Sequence, residues 1–476
     1  MKVRRQLLAL LICLLCTTLL SGCTGEAPET TSENEFPVLQ LLTIGENSDE
    51  ALNRVSDALS VLTEEKIGCH IELQNVSYIE YCYKMDNLLY DSTLPDMLLC
   101  LDRQTLQALT AGSYIVRLDQ YLDDYPLLMA QIPADTWLRA TDHGYYYGIP
   151  FGNSDIWYWG FVMRASVCDE LGIDPSSIHD LDSLHSALLT VQSRTDLIPL
   201  VPDYGWVDSF TAYDPLDNGM GVYLYNEAEM LVTNYTQSKA FAERCKMMHQ
   251  WYTQGLILET AAFDTLGYLD WLRDGNGFGG FDRIGEYTLQ DAARVLGEEV
   301  YAVRLSENYQ DRSTGSEMMC IASTSHDRNL CLSFLELLYS DAQILELCLY
   351  GVEGADYLVA EEGNAITAAA DAEETFVSSW TWPRRLNARA YGKETSSLWS
   401  QANAQKSLGY GSVFDSDSVS TELYQCSLIL DKYLPALLSG MVEPGKAIES
   451  LNRELHTSGI EAILRAKRLQ WGIESE

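Results

Sequence analysis

Two hydrophobic periods alternate between residues 38 and 101, and they constrain this chain more than any other feature. Val38-Leu39-Gln40-Leu41-Leu42-Thr43-Ile44 is a run of β-forming residues closed by the turn Gly45-Glu46-Asn47. Leu52, Val55, Leu59 and Leu62 then recur at helical spacing. Residues 67–76 read as a second strand, 79–90 as a second helix, and 97–101 as a third strand. Strand–helix–strand–helix–strand predicts a parallel sheet with right-handed crossovers. Ligands of such sheets bind beyond the carboxyl ends of the strands. Those ends include Gly45-Glu46-Asn47 and the Asp102-Arg103 turn.

The pattern continues less regularly. Tyr145-Tyr146-Tyr147-Gly148-Ile149-Pro150 and residues 151–163 read as aromatic-dense strands, punctuated as at a crossing between lobes. Helices are expected up to Gly172, over 180–193 and over 240–252. Residues 318–322 read as a strand, and Ser325 as the N-cap of the helix that carries Leu330, Phe334, Leu335 and Leu338. Three helices close the chain over 422–438, 446–456 and 460–471, with Gly459 breaking the last two apart. No internal repeat is present.

The N-terminus predicts export. Lys2, Arg4 and Arg5 precede the apolar run 7–20, which suits a signal peptide and is short for a membrane-spanning helix. The run ends in Leu20-Ser21-Gly22-Cys23, which resembles a bacterial lipobox. That resemblance implies cleavage after residue 22, a diacylglyceryl group on Cys23, and an extracytoplasmic, membrane-anchored protein. Residues 23–37, rich in Glu, Thr, Ser and Pro, read as a flexible tether.

Charge and cysteine usage exclude several functions. The formal net charge is -38, and loss of Lys2, Arg4 and Arg5 with the leader takes it to about -41. Such a field repels nucleic acid and anionic head groups, so no nucleic-acid partner is expected. Nine cysteines lie beyond Cys23, none in a C-x-x-C and most inside apolar stretches such as Met319-Cys320-Ile321. Zinc needs clustered thiolates or imidazoles, so these read as buried free thiols. No metal and no cofactor is expected.

Motifs of catalysis are missing. Gly275-Asn276-Gly277-Phe278-Gly279-Gly280 spells G-x-G-x-x-G, but a helix-like stretch precedes it and a strand-like one follows, the reverse of a dinucleotide site. Asp415-Ser416-Asp417-Ser418 is like the start of a calcium loop, yet the glycine position holds Ser420, so a solvated turn is the better reading. There is no H-E-x-x-H, G-x-S-x-G or P-loop, and the seven histidines are scattered. The protein is expected not to be an enzyme.

Aromatic residues are the stronger signal. Ten tryptophans and 28 tyrosines include Trp157-Tyr158-Trp159, Trp206, Trp380 and Trp382 at expected loop or strand ends. A flat ring stacks on the apolar face of a sugar, while Asp, Glu, Asn and Arg bond its hydroxyls. The competing reading is that these rings fill cores. If 157–159 is a strand, its alternate residues face opposite ways.

Several segments in order resemble the extracellular solute-binding proteins of ABC importers, closest to the long lipoprotein branch of Gram-positive bacteria (family 1-like). Gly144-Tyr145-Tyr146-Tyr147-Gly148-Ile149-Pro150 is similar to the family's gly-lys-x-tyr-gly-ile-pro stretch, Leu171-Gly172-Ile173-Asp174 to its leu-gly-ile-asp, and Trp251-Tyr252-Thr253-Gln254-Gly255 to its trp-tyr-x-x-gly. Residues 321–325, 334–341 and 350–357 form the most specific block, and Ser458-Gly459-Ile460 with the helix to Trp471 matches the C-terminal signature. His143 and Tyr145 depart from the family's usual Asp or Asn and Lys.

The resemblance implies a two-lobed α/β fold of the periplasmic-binding-protein type II, with mixed sheets flanked by helices and a hinge between the lobes. The expected partition is 1–22 signal, 23–37 tether, 38–148 plus about 278–340 for lobe 1, and 149–277 plus about 341–476 for lobe 2. It implies a monomer that captures a polar solute, an oligosaccharide by preference, in the interlobe cleft and delivers it to ABC permease subunits. The expected ligand-binding residues are Glu46, Asp96, Trp157, Trp159, Trp206, Asp282, Trp380, Trp382 and Arg385. An exported glycan-degrading enzyme, a peptide receptor of the same fold and a surface adhesin are the alternatives.

Overall fold

The structure is a computed structural model. It describes residues 36–45, 47–77, 80–81, 94–151, 156–203, 213–216, 219–225, 232–286, 288–311, 317–359, 365–369, 375–376, 382–383, 390–391, 404–407, 409–410 and 413–472. The chain divides into Met1–Pro37 and Val38–Glu476, and the fold is that of the second unit.

The first lobe opens with the β–α–β order that the sequence predicts; of the second helix expected over 79–90, all but residues 80 and 81 lie outside the described residues. Strand β1 (Val38–Ile44), helix α1 (Asp49–Ile67), β2 (His70–Val76) and β3 (Met97–Cys100) follow in order. Leu52, Val55 and Leu59 form the buried face of α1. Ser48 caps the helix by accepting from Ala51 N, and Gly68 ends it at φ 70 with its N–H turned back on Thr63 O and Glu64 O. After β3 come α2 (Arg103–Ala111) and β4 (Gly148–Pro150).

The second lobe opens with β5 (Ile156–Arg164), α3 (Leu181–Arg194) and β6 (Ile198–Leu200). A small sheet follows, made of β7 (Tyr213–Asp214), β8 (Val222–Leu224) and β9 (Val232–Thr233). Then come α4 (Lys239–Thr253), α5 (Tyr268–Arg273), β10 (Gly277–Ile284), α6 (Thr288–Leu296) and β11 (Val300–Gln310). The chain next returns to the first lobe for β12 (Met318–Ile321), α7 (Arg328–Ser340) and α8 (Ala342–Tyr350). It ends in the second lobe with β13 (Ala404–Lys406), α9 (Ser420–Leu438), α10 (Pro444–Thr457) and α11 (Ile460–Gln470).

The first sheet has the order β2-β1-β3-β12-β4 and the second β13-β11-β5-β10-β6. β1 pairs in parallel with β2 and β3, while β12 runs antiparallel to β3 and β4. The central strand β5 is antiparallel to both β10 and β11. The chain passes from the first sheet to the second after Phe151 and back after Asp311, and Phe151 N donates to Glu317 O at 3.0 Å.

The expected partition differs from this at two places. The strands at 277–284 and 300–310 belong to the second sheet, not to lobe 1. Residues 342–350, with Phe376 and Trp382, fill the first core, not lobe 2. The glycines explain the first difference. A Cβ at Gly279 would stand 2.4 Å from the Phe161 ring, and one at Gly280 would stand 2.9 Å from Tyr268. The glycine run lets β10 lie flat between β5 and α5, so its role is packing. The second difference follows from the apolar face of α8, where Ile344, Leu345, Cys348 and Leu349 have only the first core to fill.

Ser325 is not the N-cap of α7. Asp327 holds that place and accepts from Leu330 N, while Ser325 Oγ donates to Asp96 at 2.7 Å. All eight described cysteines of the body are buried and free; the ninth, Cys82, lies outside the described residues.

Candidate functional site

A buried carboxylate organises the end of the second sheet at which β5 begins and β11 finishes. Asp311 directly follows β11 and is fully buried. Its Oδ1 accepts from Trp157 Nε1 at 3.0 Å and its Oδ2 from the Tyr225 hydroxyl at 2.6 Å. Two neutral donors thus hold a buried carboxylate, which is tolerable only because both oxygens are bonded. Tyr225 stacks on Tyr309 with centroids 4.3 Å apart, and Trp157 tilts against Tyr309 at 5.3 Å. Gln405 Nε2 donates to Tyr225 O at 2.8 Å. Burial, and then the negative charge of Asp311, push the Tyr225 phenol far above its ordinary value, so it stays a donor. The half-buried Arg283 guanidinium lies 4.9 Å over the Trp157 ring.

The opposite face of the same strands carries a second cluster. Gly160 lies opposite Asp282 on one side and Arg304 on the other. Tyr158 folds over Gly160, whose Cβ would meet that ring at 3.1 Å. Arg304 covers the Tyr158 ring at 3.9 Å and donates to Asn308 Oδ1 at 2.6 Å. A bulge between Arg304 and Asn308 aims these side chains, and Ser306 Oγ fills the gap by accepting from Trp159 N. Tyr268 donates to Asp282 at 2.6 Å. Burial pushes the Asp282 carboxyl up to about 7, with the Tyr268 bond opposing. Glu286, just past β10, is also raised by burial.

The first lobe presents its own strand ends. Asn75 Oδ1 accepts from Asn47 N at 3.2 Å beyond β1 and β2. Asp102 caps α2 through Thr105 N at 2.7 Å. Arg103 binds Thr141 O and Asp142, pinning the hairpin 141–146 to α2, and Thr110 Oγ1 donates to Asp142 at 2.6 Å. His143 and Gly144 form the tip of that hairpin at φ 47 and 80. Asn, Asp, His and Gly are the residues that adopt such left-handed turn positions, and His143-Gly144 supplies two of them. The lobes touch nearby, where Ser416 Oγ donates to Gln107 Oε1 at 3.2 Å and His143 Nδ1 lies 3.9 Å from Asp417.

The expected site residues fall into three groups. Trp157 and Asp282 lie at the second sheet's edge, on opposite faces. Asp96, Trp159 and Trp382 make internal contacts. Asp96 ties Gln40 N to Ser325, Trp159 stacks on Phe281 at 5.9 Å inside the second core, and Trp382 packs on Phe151 in the first. Those rings lie in cores because alternate residues of β5 face one way, as Trp157, Trp159, Phe161 and Met163 do, while Tyr158 and Val162 face the other. Glu46, Trp206, Trp380, Arg385 and Cys23 lie outside the described residues.

Asp311, Tyr225, Tyr309, Arg283 and Arg304 were not expected. An acid just past a long strand was the one local signal, at Asp311. Tyr225 is 86 residues away from it and carried none. At 415–418, Asp415 accepts from Asp417 N, and no group of three metal-binding side chains occurs among the described residues.

Residues 408–472 match a family described as "Domain of unknown function (DUF3502)". Over 462 residues the chain is 21% identical to a "Carbohydrate ABC transporter substrate-binding protein" of Streptococcus pneumoniae serotype 4, covering 94% of this chain and 93% of that one. Among solved structures, the N-glycan transport solute binding protein (NgtS) of Streptococcus pneumoniae in complex with Man1GlcNAc aligns with a TM-score of 0.81 at 19% identity, over 91% of this chain and 98% of that one. The alginate-binding protein AlgQ2 aligns at 0.59 and 14%, over 92% and 98%. The chain has the two-lobed fold of the substrate-binding proteins of ABC transporters.

Proposed function

We propose that this chain is the capture component of an ABC importer: it binds an oligosaccharide between its lobes and delivers it to a membrane permease. The observation that carries the reading is the alignment with NgtS along nearly the whole body, because solved structures of NgtS hold Man1GlcNAc and Man5GlcNAc. Polar groups at the strand ends of the second sheet, Arg283, Arg304 and the carboxyls of Asp282 and Glu286, suit the hydroxyls of a sugar, while the rings of Trp157 and Tyr158 beneath the two arginines are buried. Capture requires only stronger binding to the closed lobes than to the open ones, with no bond broken.

The lipid on Cys23 would hold the monomer outside the cytoplasm beside its permease. No helix among the described residues is long and apolar enough to cross a membrane; the lipobox-like Leu20-Ser21-Gly22-Cys23 is what supports an anchor at the N-terminus.

Calorimetry of the soluble body with Man1GlcNAc, Man5GlcNAc and a set of short peptides tests the reading. Saturable binding of a glycan, recovered intact afterwards, is the expected result. Binding of peptides alone would make it a peptide receptor, and release of a shorter sugar would make it an enzyme.

A further inference from the structure

The C-terminal helix α11 buries a lysine charge against a loop, and nothing in the capture role alone requires that. Lys467 is fully buried. Its ammonium donates to Leu216 O at 2.7 Å and to Gly221 O at 3.0 Å, and it lies 5.3 Å over the Phe414 ring. The next residue, Arg468, brings Nε and Nη2 onto Val232 O at 3.0 and 2.7 Å. A charge taken out of water is costly unless its bonds are made by fixed acceptors. Among the described acceptors here are main-chain carbonyls of one segment, at 216, 221 and 232.

That segment carries β8 and, directly after it, Tyr225. The grip is close. Gly221 sits at φ +84, and a Cβ there would stand 2.8 Å from Leu464 and 3.2 Å from Lys467 Cδ, so the segment lies directly on α11. Leu216, at φ 49, is held from the other side by its N–H on Asp214 Oδ1 at 2.8 Å. Ser407 Oγ also donates to Asp214, and Gly409 N donates to Ser407 Oγ at 3.0 Å. From there the chain leads to the Tyr225 hydroxyl on Asp311, and through Asp311 to Trp157.

We propose that α11, within the stretch matched by the domain of unknown function, is a clamp that sets the position of Tyr225, with Lys467 and Arg468 as its positioning residues. The effect on solute binding rests on the reading that the Tyr225–Asp311–Trp157 wall borders the solute; the effect on the loop does not. The C-terminal domain thereby turns the end of the chain into a rigid backing for one wall of the cleft. Neither residue touches the solute.

The test uses the whole body without its leader, as Lys467→Met, Arg468→Met, Tyr225→Ala and the Lys467→Met/Tyr225→Ala double variant, with Lys432→Met as a control on the same terminal helices. Amide hydrogen exchange reads the loop, and calorimetry with Man5GlcNAc, well below each melting temperature, reads the wall. Lys467→Met is expected to speed exchange over 219–225 while α9 and α10 keep their protection. It should also weaken glycan binding by about tenfold or more, with little further loss once Tyr225 is gone, the non-additivity expected of coupled residues. A general loss of stability would instead speed exchange everywhere and add to the Tyr225 effect. Arg468→Met, half-buried and bonded to one carbonyl, gives the same signs more weakly and serves if Lys467→Met fails to fold. Unchanged exchange over 219–225, or losses that simply add, overturns the clamp. If the unaltered protein binds no glycan, the solute reading fails on its own, and the exchange result still decides the clamp.

Discussion

Burial decides the chemistry of this chain's most reactive side chains. Desolvation pushes the thiols of Cys69 and Cys426 up to about 11, and those of Cys168, Cys245 and Cys331 to about 12. Only the thiolate attacks a disulfide reagent. An aromatic disulfide at pH 8 should therefore leave the described thiols of the native body untouched and titrate them at once in denaturant; prompt reaction of the native protein would contradict their burial. Asp282 is the other such group. Its folded value of about 7 lies above the ordinary 3.8, so the folded state holds a proton that the unfolded state releases. Its stabilisation is full below about pH 4 and is lost as pH rises toward 7. Asp282→Asn should flatten the fall in unfolding free energy between pH 5 and pH 8, by an amount on the order of 1–3 kcal/mol. An unaltered slope would show that the carboxyl is solvated. The sequence offered Asp282 for its place near a strand end. Only its burial in the fold gave it an unusual proton affinity, against the opposing hydrogen bond from Tyr268.

At the scale of elements, periodicity proved the reliable guide and capping the weaker one. The helix of residues 49–67 buries Leu52, Val55 and Leu59 as the spacing requires. The helix at 181–194 starts at Asp180, which shares a reciprocal capping box with Ser183. At the helix of residues 328–340, however, both Ser325 and Asp327 had the chemistry of a cap. Ser325 went to Asp96, a partner 229 residues away, and Asp327 took the helix end. Asp327→Ala should cost about 1 kcal/mol in urea unfolding. Ser325→Ala should instead loosen the tie between β1 and this helix through Asp96. Equal losses with equal local exchange patterns would contradict that division of labour. The strand at 277–284 makes the same point about glycine, since a G-x-G-x-x-G there serves strand packing and not a phosphate.

For the molecule as a whole, the contacts that join the lobes beside the hairpin are slight. The Ser416–Gln107 hydrogen bond and the His143–Asp417 approach at 3.9 Å are both partly solvated, and such pairs contribute little. Ser416→Ala should leave stability unchanged to within about 0.5 kcal/mol. A captured solute, by contrast, should raise stability by about 2.7 kcal/mol at a hundred times its Kd, read as a shift in melting temperature. Cys23→Ala should move the protein from the membrane fraction to the medium and leave that shift intact. Retention at the membrane would refute the anchor. By itself the sequence carried the lipobox-like pattern, the opening β–α–β order, the buried thiols and the family resemblance, because each is written in local spacing. Tertiary structure alone decided which sheet the strand at 277–284 joins, that Trp159 and Trp382 serve cores, and that Asp311 collects Trp157 and Tyr225. That last outcome depends on residues 154 and 86 positions apart meeting at one sheet edge, and no local period encodes such a meeting.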